Sequence, residues 1–139
     1  MRGVLAILML GLLAGCLVCE SPLTAQDVFP QAPYANAEVA SIAAAGAVPD
    51  RLLQRGAATE VWVREMPNDD YVLALVNRSA ESQDVRVPFA SFGSGGLLNA
   101  RDCATGRAEG VSDSEYVALL PPKTIRWVRL SVVPCAKCL

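Results

Sequence analysis

Two hydrophobic rhythms divide the chain. Around Asn36 the apolar residues Val39, Ile42 and Ala43 recur at helical spacing behind an asparagine suited to an N-cap, and Gly46 and Pro49 end the run. The spacing predicts one short helix over 36–45 with a modest apolar stripe. Beyond Ala57 the period drops to that of strands. Val61-Trp62-Val63 is β-branched and aromatic, Pro67-Asn68-Asp69-Asp70 has turn chemistry, and Tyr71 to Val76 is an unbroken apolar run that suits a strand covered on both faces. Val85, Val87 and Phe89 alternate with Asp84, Arg86 and Pro88, the pattern of a strand with one wet face near a sheet edge. Gly93 to Gly96 breaks the chain. Strands are then expected at Leu97–Asp102, Tyr116–Leu120 and Thr124–Val132, with a turn at Ala104–Gly106 and a stop at Pro121-Pro122. Six or so strands with short loops predict an all-β fold, an antiparallel Greek-key sandwich behind one helix.

The N-terminus follows neither rhythm. Met1-Arg2 gives a positive start, Val4–Leu13 an apolar core and Ala14-Gly15-Cys16 small residues, the arrangement of a secretory signal peptide. A membrane span would need roughly 20 apolar residues, and this run stops at Glu20-Ser21-Pro22. The segment Leu13-Ala14-Gly15-Cys16 also fits a bacterial lipoprotein pattern, which makes Cys16 a candidate lipidation site and a membrane-anchored lipoprotein the alternative to a secreted or lysosome-like location. The expected organisation is a signal peptide at 1–16, a proline-containing linker at 17–35, the helix and its connection at 36–56, the sandwich at 57–133 and a cysteine-containing tail at 134–139.

Composition narrows the chemistry. The 139 residues are 53% hydrophobic with a net charge of -2, and the basic residues are scattered, so a nucleic-acid partner has no electrostatic support. The chain has no histidine, which excludes Ser-His-Asp and Cys-His catalysis, and Gly93-Ser-Gly-Gly96 lacks the lysine and helix of a phosphate loop. Of five cysteines, Cys19, Cys103, Cys135 and Cys138 are candidates for disulfides in an oxidising compartment, and sequence cannot choose among their three pairings. Cys135 and Cys138 have CxxC spacing, yet they close the chain where a redox pair would open a helix, and no metal site or cofactor is expected. Asn77-Arg78-Ser79 is a sequon, so Asn77 is a candidate glycosylation site. Asp69, Asp70, Glu81, Asp84, Asp113 and Glu115 fall in turns and at strand ends, where solvated acids are ordinary.

Several of these residues together resemble the C-terminal β-sandwich of the α-galactosidase and α-N-acetylgalactosaminidase glycoside hydrolases. The likeness is carried by Glu60-Val-Trp-Val-Arg64, an acidic turn, Ala74-Leu75-Val76-Asn77-Arg78, Arg101-Asp102 before Thr105-Gly106, and Pro121-Pro122 before Arg129-Leu130. Upstream, Asn36-Ala-Glu38-Val39 and Ile42 resemble the last helix of that family's catalytic barrel. There are departures: Cys103-Ala104 stands where an aromatic is usual, Lys123-Thr124 where His-Gly is favoured, and Ala43-Ala44-Ala45 where Asn-Gln-Asp follows.

The resemblance implies a retaining glycosidase family whose two catalytic carboxylates lie roughly 5 Å apart on a (β/α)8 barrel of about 250 residues. No segment here resembles those that carry them, so no catalytic residue transfers. The expectation is a non-catalytic accessory sandwich, truncated or fragmentary, whose partner is a barrel in cis or in trans. Such a module, cut from its body, is expected to expose apolar surface and aggregate. The alternative is a free-standing secreted module that binds carbohydrate, or another protein, with Trp62, Tyr71, Tyr116 and Trp127 as candidate platforms.

Overall fold

The structure, a computed structural model, describes residues 23–34, 36–45 and 50–134. The signal peptide at 1–16, the first part of the linker, Cys16, Cys19, Cys135 and Cys138 lie outside the described residues. Among the described residues the order is α1 (Ala25–Val28), α2 (Ala37–Ala44), then strands β1 (Arg51–Arg55), β2 (Thr59–Glu65), β3 (Tyr71–Asn77), β4 (Gln83–Pro88), β5 (Leu98–Asp102), β6 (Ala108–Ser112), β7 (Glu115–Leu120) and β8 (Thr124–Val132). Short 3-10 turns follow β2 at Pro67–Asp69 and β4 at Phe89–Phe92.

All pairings are antiparallel. Six strands form one sheet in the order β1-β2-β3-β8-β5-β6, and β4 and β7 form a second, two-stranded sheet. After β3 the chain crosses to the small sheet, returns for β5 and β6, crosses again for β7, and closes with β8 inserted between β3 and β5. This is the expected Greek-key sandwich, and closure depends on a contact between strands distant in sequence, Tyr71 against Leu130 through Asn77 against Thr124.

The core between the sheets is built from alternate residues. Val61 and Val63 of β2, Leu73 and Leu75 of β3, and Val128 and Leu130 of β8 point toward Val85, Val87, Tyr116, Ala118 and Leu120 of the small sheet, with Phe89 and Phe92 closing one side. Leu73, Leu75, Leu120 and Leu130 have no measurable exposure, and full burial of such a side chain stabilises by about 1.5–3 kcal/mol. Asn68 and Asp69 both take positive φ at the β2–β3 turn, a conformation asparagine and aspartate tolerate better than most side chains.

Two strands went unread in the sequence. Arg51–Arg55 was expected to be a connection, because Arg-Leu-Leu-Gln-Arg does not alternate; it pairs with β2 through a register shift between Leu52 and Gln54 that upsets any simple period. In β6 every residue is exposed and Gly110 carries a φ of 105°, so no apolar face announces it. The linker also holds structure. Residues 25–28 turn into α1, opened by Thr24, whose amide and hydroxyl both donate to the Asp27 carboxylate at 2.7 and 3.0 Å. Those bonds hold the Asp27 carboxyl below its usual pKa. Val28 and Phe29 behind them are buried, at 0% and 3% exposure.

Candidate functional site

The six-stranded sheet has a second apolar face, and the N-terminal arm, residues 23–34 and 36–45, lies on it. The residues of β3 that point away from the small sheet, Val72, Ala74 and Val76, join Trp62, Met66 and Cys103 under Val28, Phe29, Val39 and Ile42. This explains the unbroken apolar run in β3: both faces are covered, and Val72 through Asn77 are all buried. The bare face expected of an excised module is therefore not bare, because the chain's own arm covers it.

The helix of the arm forms as the sequence predicts. Asn36 caps α2 by accepting from the Val39 amide at 2.8 Å, and Val39 and Ile42, three apart, turn one stripe onto the sheet. The same asparagine also holds the sandwich. Its Nδ2 donates to the carbonyls of Cys103 and Ala104 at 3.0 and 3.1 Å. Its position lets one side chain cap the helix and fix where the helix sits.

Arginines and a tryptophan of the sheet complete the grip. Arg64 makes a two-pronged pair with Asp50, both bonds 2.6 Å, donates to the Ile42 carbonyl at the end of α2 at 2.8 Å, and lays its guanidinium 4.1 Å from the centroid of the Phe29 ring. A cation suits a helix C-terminus, and a planar guanidinium serves both the carboxylate and the ring. Arg101 pairs with Glu38 at 2.6 Å, which raises the already high Arg101 pKa. Trp127 donates its indole N–H to the Val28 carbonyl at 2.8 Å, and Arg55 donates to that of Leu23 at 3.1 Å. At the upper rim Glu60, 1% exposed, accepts from the Trp62 indole at 3.0 Å, Arg55 at 3.2 Å and Arg78 at 3.3 Å. No buried side-chain polar atom among the described residues is left without a partner.

The other sequence candidates lie elsewhere. Asp69, Glu81, Asp84 and Asp113 are exposed, whereas Asp70 is paired with Arg129 at 2.9 Å and Glu115 with Arg86 at 2.5 Å. No group of three metal-binding side chains occurs among the described residues. Trp62 and Tyr116 are buried, the Tyr116 hydroxyl donating to Glu109 at 2.7 Å, and burial pushes its pKa to about 12. Tyr71 packs against Phe92 with ring centroids 4.8 Å apart, and Trp127 faces the arm. Trp62 and Tyr116 are thus inside the fold, and Tyr71 and Trp127 are half-buried against it.

Asn77 has a different occupation from the one its sequon suggests. It is 1% exposed, its Nδ2 donates to the carbonyls of Glu81, Leu120 and Pro121 at 2.8, 3.1 and 3.0 Å, and its Oδ1 accepts from the amide and hydroxyl of Ser79. The atom a glycan would use is spent on stitching the end of β3 to the end of β7. Among the described residues Cys103 has no disulfide partner, its three candidate partners lying outside them; it is a fully buried thiol whose pKa is pushed by burial, and next by the charge of Glu38, to about 12.

Comparisons place this architecture. A family model described as the alpha galactosidase C-terminal beta sandwich domain matches residues 56–130, just over half the chain. Among solved structures, a GH27 β-L-arabinopyranosidase from Geobacillus stearothermophilus superposes with a TM-score of 0.65 at 23% identity, covering 70% of this chain and 22% of its own. A putative α-N-acetylgalactosaminidase from Bacillus halodurans C-125 gives 0.65 at 15% identity, covering 69% and 23%, and α-galactosidase I from Mortierella vinacea gives 0.62 at 13%, covering 70% and 28%. This chain thus spans about a quarter of the length of those proteins, in which the sandwich is joined in cis to a catalytic barrel. Among curated proteins none matches the chain.

Proposed function

Because the chain belongs to the α-galactosidase C-terminal β-sandwich family, we propose that it is the non-catalytic accessory module of an α-galactosidase-like glycoside hydrolase and that its arm-covered face is where a catalytic barrel attaches. The observation that carries this reading is the composition of that face. Two tryptophans, a methionine and three arginines, Trp62, Trp127, Met66, Arg64, Arg101 and Arg129, lie on it or at its margin, whereas the inter-sheet core has neither tryptophan nor methionine, and Arg126 lies at its edge. Aromatic residues, methionine and arginine are what protein interfaces concentrate. A sheet that must only close a core has no need of them.

The module's work on this reading is mechanical. It covers apolar surface on the barrel and stabilises it, and the bond-breaking carboxylates belong to the barrel. The acids among the described residues either meet solvent or neutralise arginines. The signal-like start at Met1–Cys16 supports export of the whole, and sequencing the mature N-terminus tests that part.

The test of the reading is the mass and composition of the native species that contains these residues, purified from its source. Barrel peptides in the same polypeptide, or in a stoichiometric complex with it, are expected. A species with no glycoside hydrolase barrel attached in either way contradicts the proposal.

A further inference from the structure

The α2 part of the arm is held by groups placed to meet a helix at its cap, its first turn and its end. The sheet offers acceptors and donors at defined places: carbonyls of Cys103 and Ala104 for an amide at the N-cap, Arg101 for an acid two residues later, Arg64 for the Ile42 carbonyl in the last turn, and an apolar bed for residues three and six beyond the cap. Arg55 and Trp127 bind the backbone carbonyls of Leu23 and Val28, which any sequence would supply. None of these contacts needs the covalent connection at 46–49.

From this geometry we infer that the sheet face is a helix receptor able to bind its helix in trans, and that the N-cap asparagine is the residue it reads. The bound element here is the chain's own 23–45. The inference deepens the docking-face reading above and rests on it.

The reason for singling out Asn36 is that its two jobs require different atoms. Its Oδ1 caps α2 through the Val39 amide, while its Nδ2 serves the two sandwich carbonyls. Aspartate caps a helix about as well as asparagine. It has no amide hydrogens, and it would set a carboxylate against two carbonyl oxygens. Asn36→Asp therefore separates capping from docking, which substitution by alanine cannot do.

The experiment uses the full chain with a protease site introduced at 46–49. After cleavage the two pieces are expected to stay together on gel filtration, and a labelled synthetic peptide of residues 23–45 in excess is expected to exchange into the complex. The same peptide with Asn36→Asp is expected to bind at least about tenfold more weakly, from the loss of two hydrogen bonds and the added repulsion, with its helicity in a helix-promoting solvent unchanged. Pieces that separate on cleavage, or an Asn36→Asp peptide that exchanges as well as the parent, would overturn the inference. Either result stands whether or not a barrel is found in the native species, so the failure of one reading can be told from the failure of the other.

Discussion

The two faces of the six-stranded sheet are closed by different means. Toward the small sheet, Val61, Val63, Leu73, Leu75, Val128 and Leu130 meet Val85, Val87, Phe89 and Leu120, and apolar packing fills the gap, with Asn77 to Leu120 and Tyr116 to Glu109 bonded at its edges. Toward the arm, Trp62, Val72, Ala74, Val76 and Trp127 make a smaller apolar bed, and the closing is done by Asn36, Arg64, Arg101 and Trp127 reaching across to backbone carbonyls and carboxylates. Apolar packing is non-directional and tolerates any partner of suitable volume, whereas directed bonds to carbonyls fix one partner in one position. The first face specifies a domain and the second specifies what lies on it.

The comparison breaks most readily at its aliphatic side. Leu73→Ala removes a side chain with no exposure from the centre of the inter-sheet core and is expected to cost about 2–5 kcal/mol, measured as a lower urea midpoint for the whole domain. Asn77→Asp comes next. It sets a carboxylate among the carbonyls of Glu81, Leu120 and Pro121, for an expected loss of about 2–3 kcal/mol, again global, because the stitch joins the two sheets. If that variant instead unfolded nothing and simply lost a carbohydrate modification, the structural role given to Asn77 would be wrong.

On the arm side the effect should be smaller and local. Arg64→Lys keeps the charge and loses the two-pronged pair with Asp50 and the stacking on Phe29, an expected cost of about 1–2 kcal/mol. Hydrogen exchange should then speed up in 36–45 while β2 and β3 stay protected; equal acceleration in both would mean that the faces are one cooperative unit.

The gentlest probe is alkaline pH. Burial raises the Cys103 thiol from an ordinary 9.0 to about 12 and the Tyr116 hydroxyl from 10.0 to about 12. The folded chain holds both protons to higher pH than the unfolded chain does. Stability from these two groups is therefore intact below the ordinary values and declines as pH rises toward about 12. Urea midpoints should fall through that window, and Cys103→Ala should flatten part of the fall.

How legible each face was in the sequence follows from the same physics. The inter-sheet core was readable because the alternation Val85-Arg86-Val87 is a local signal, the apolar stretch Tyr116–Leu120 reads as a strand, and the run Tyr71–Val76 announced its two covered faces. The helix at 36–45 was readable down to its capping asparagine. What covers the second face was not, since Val28 and Phe29 sit among prolines with no period, and Arg64 meets Asp50, Ile42 and Phe29 only through the fold. Strand β6 was invisible because an exposed edge has no apolar side to show. The second role of Asn36, toward carbonyls 67 and 68 residues away, leaves no trace in any local pattern.

The most direct test of the division between the faces is to remove the arm and restore it. A chain beginning at Asp50 should keep its β-sheet circular dichroism, bind a hydrophobic dye and self-associate in sedimentation, and adding the peptide of residues 23–45 should return it to a dye-silent monomer. A chain that is monodisperse and dye-silent without the arm would show that the second face needs no partner, and the docking role assigned to it would be contradicted.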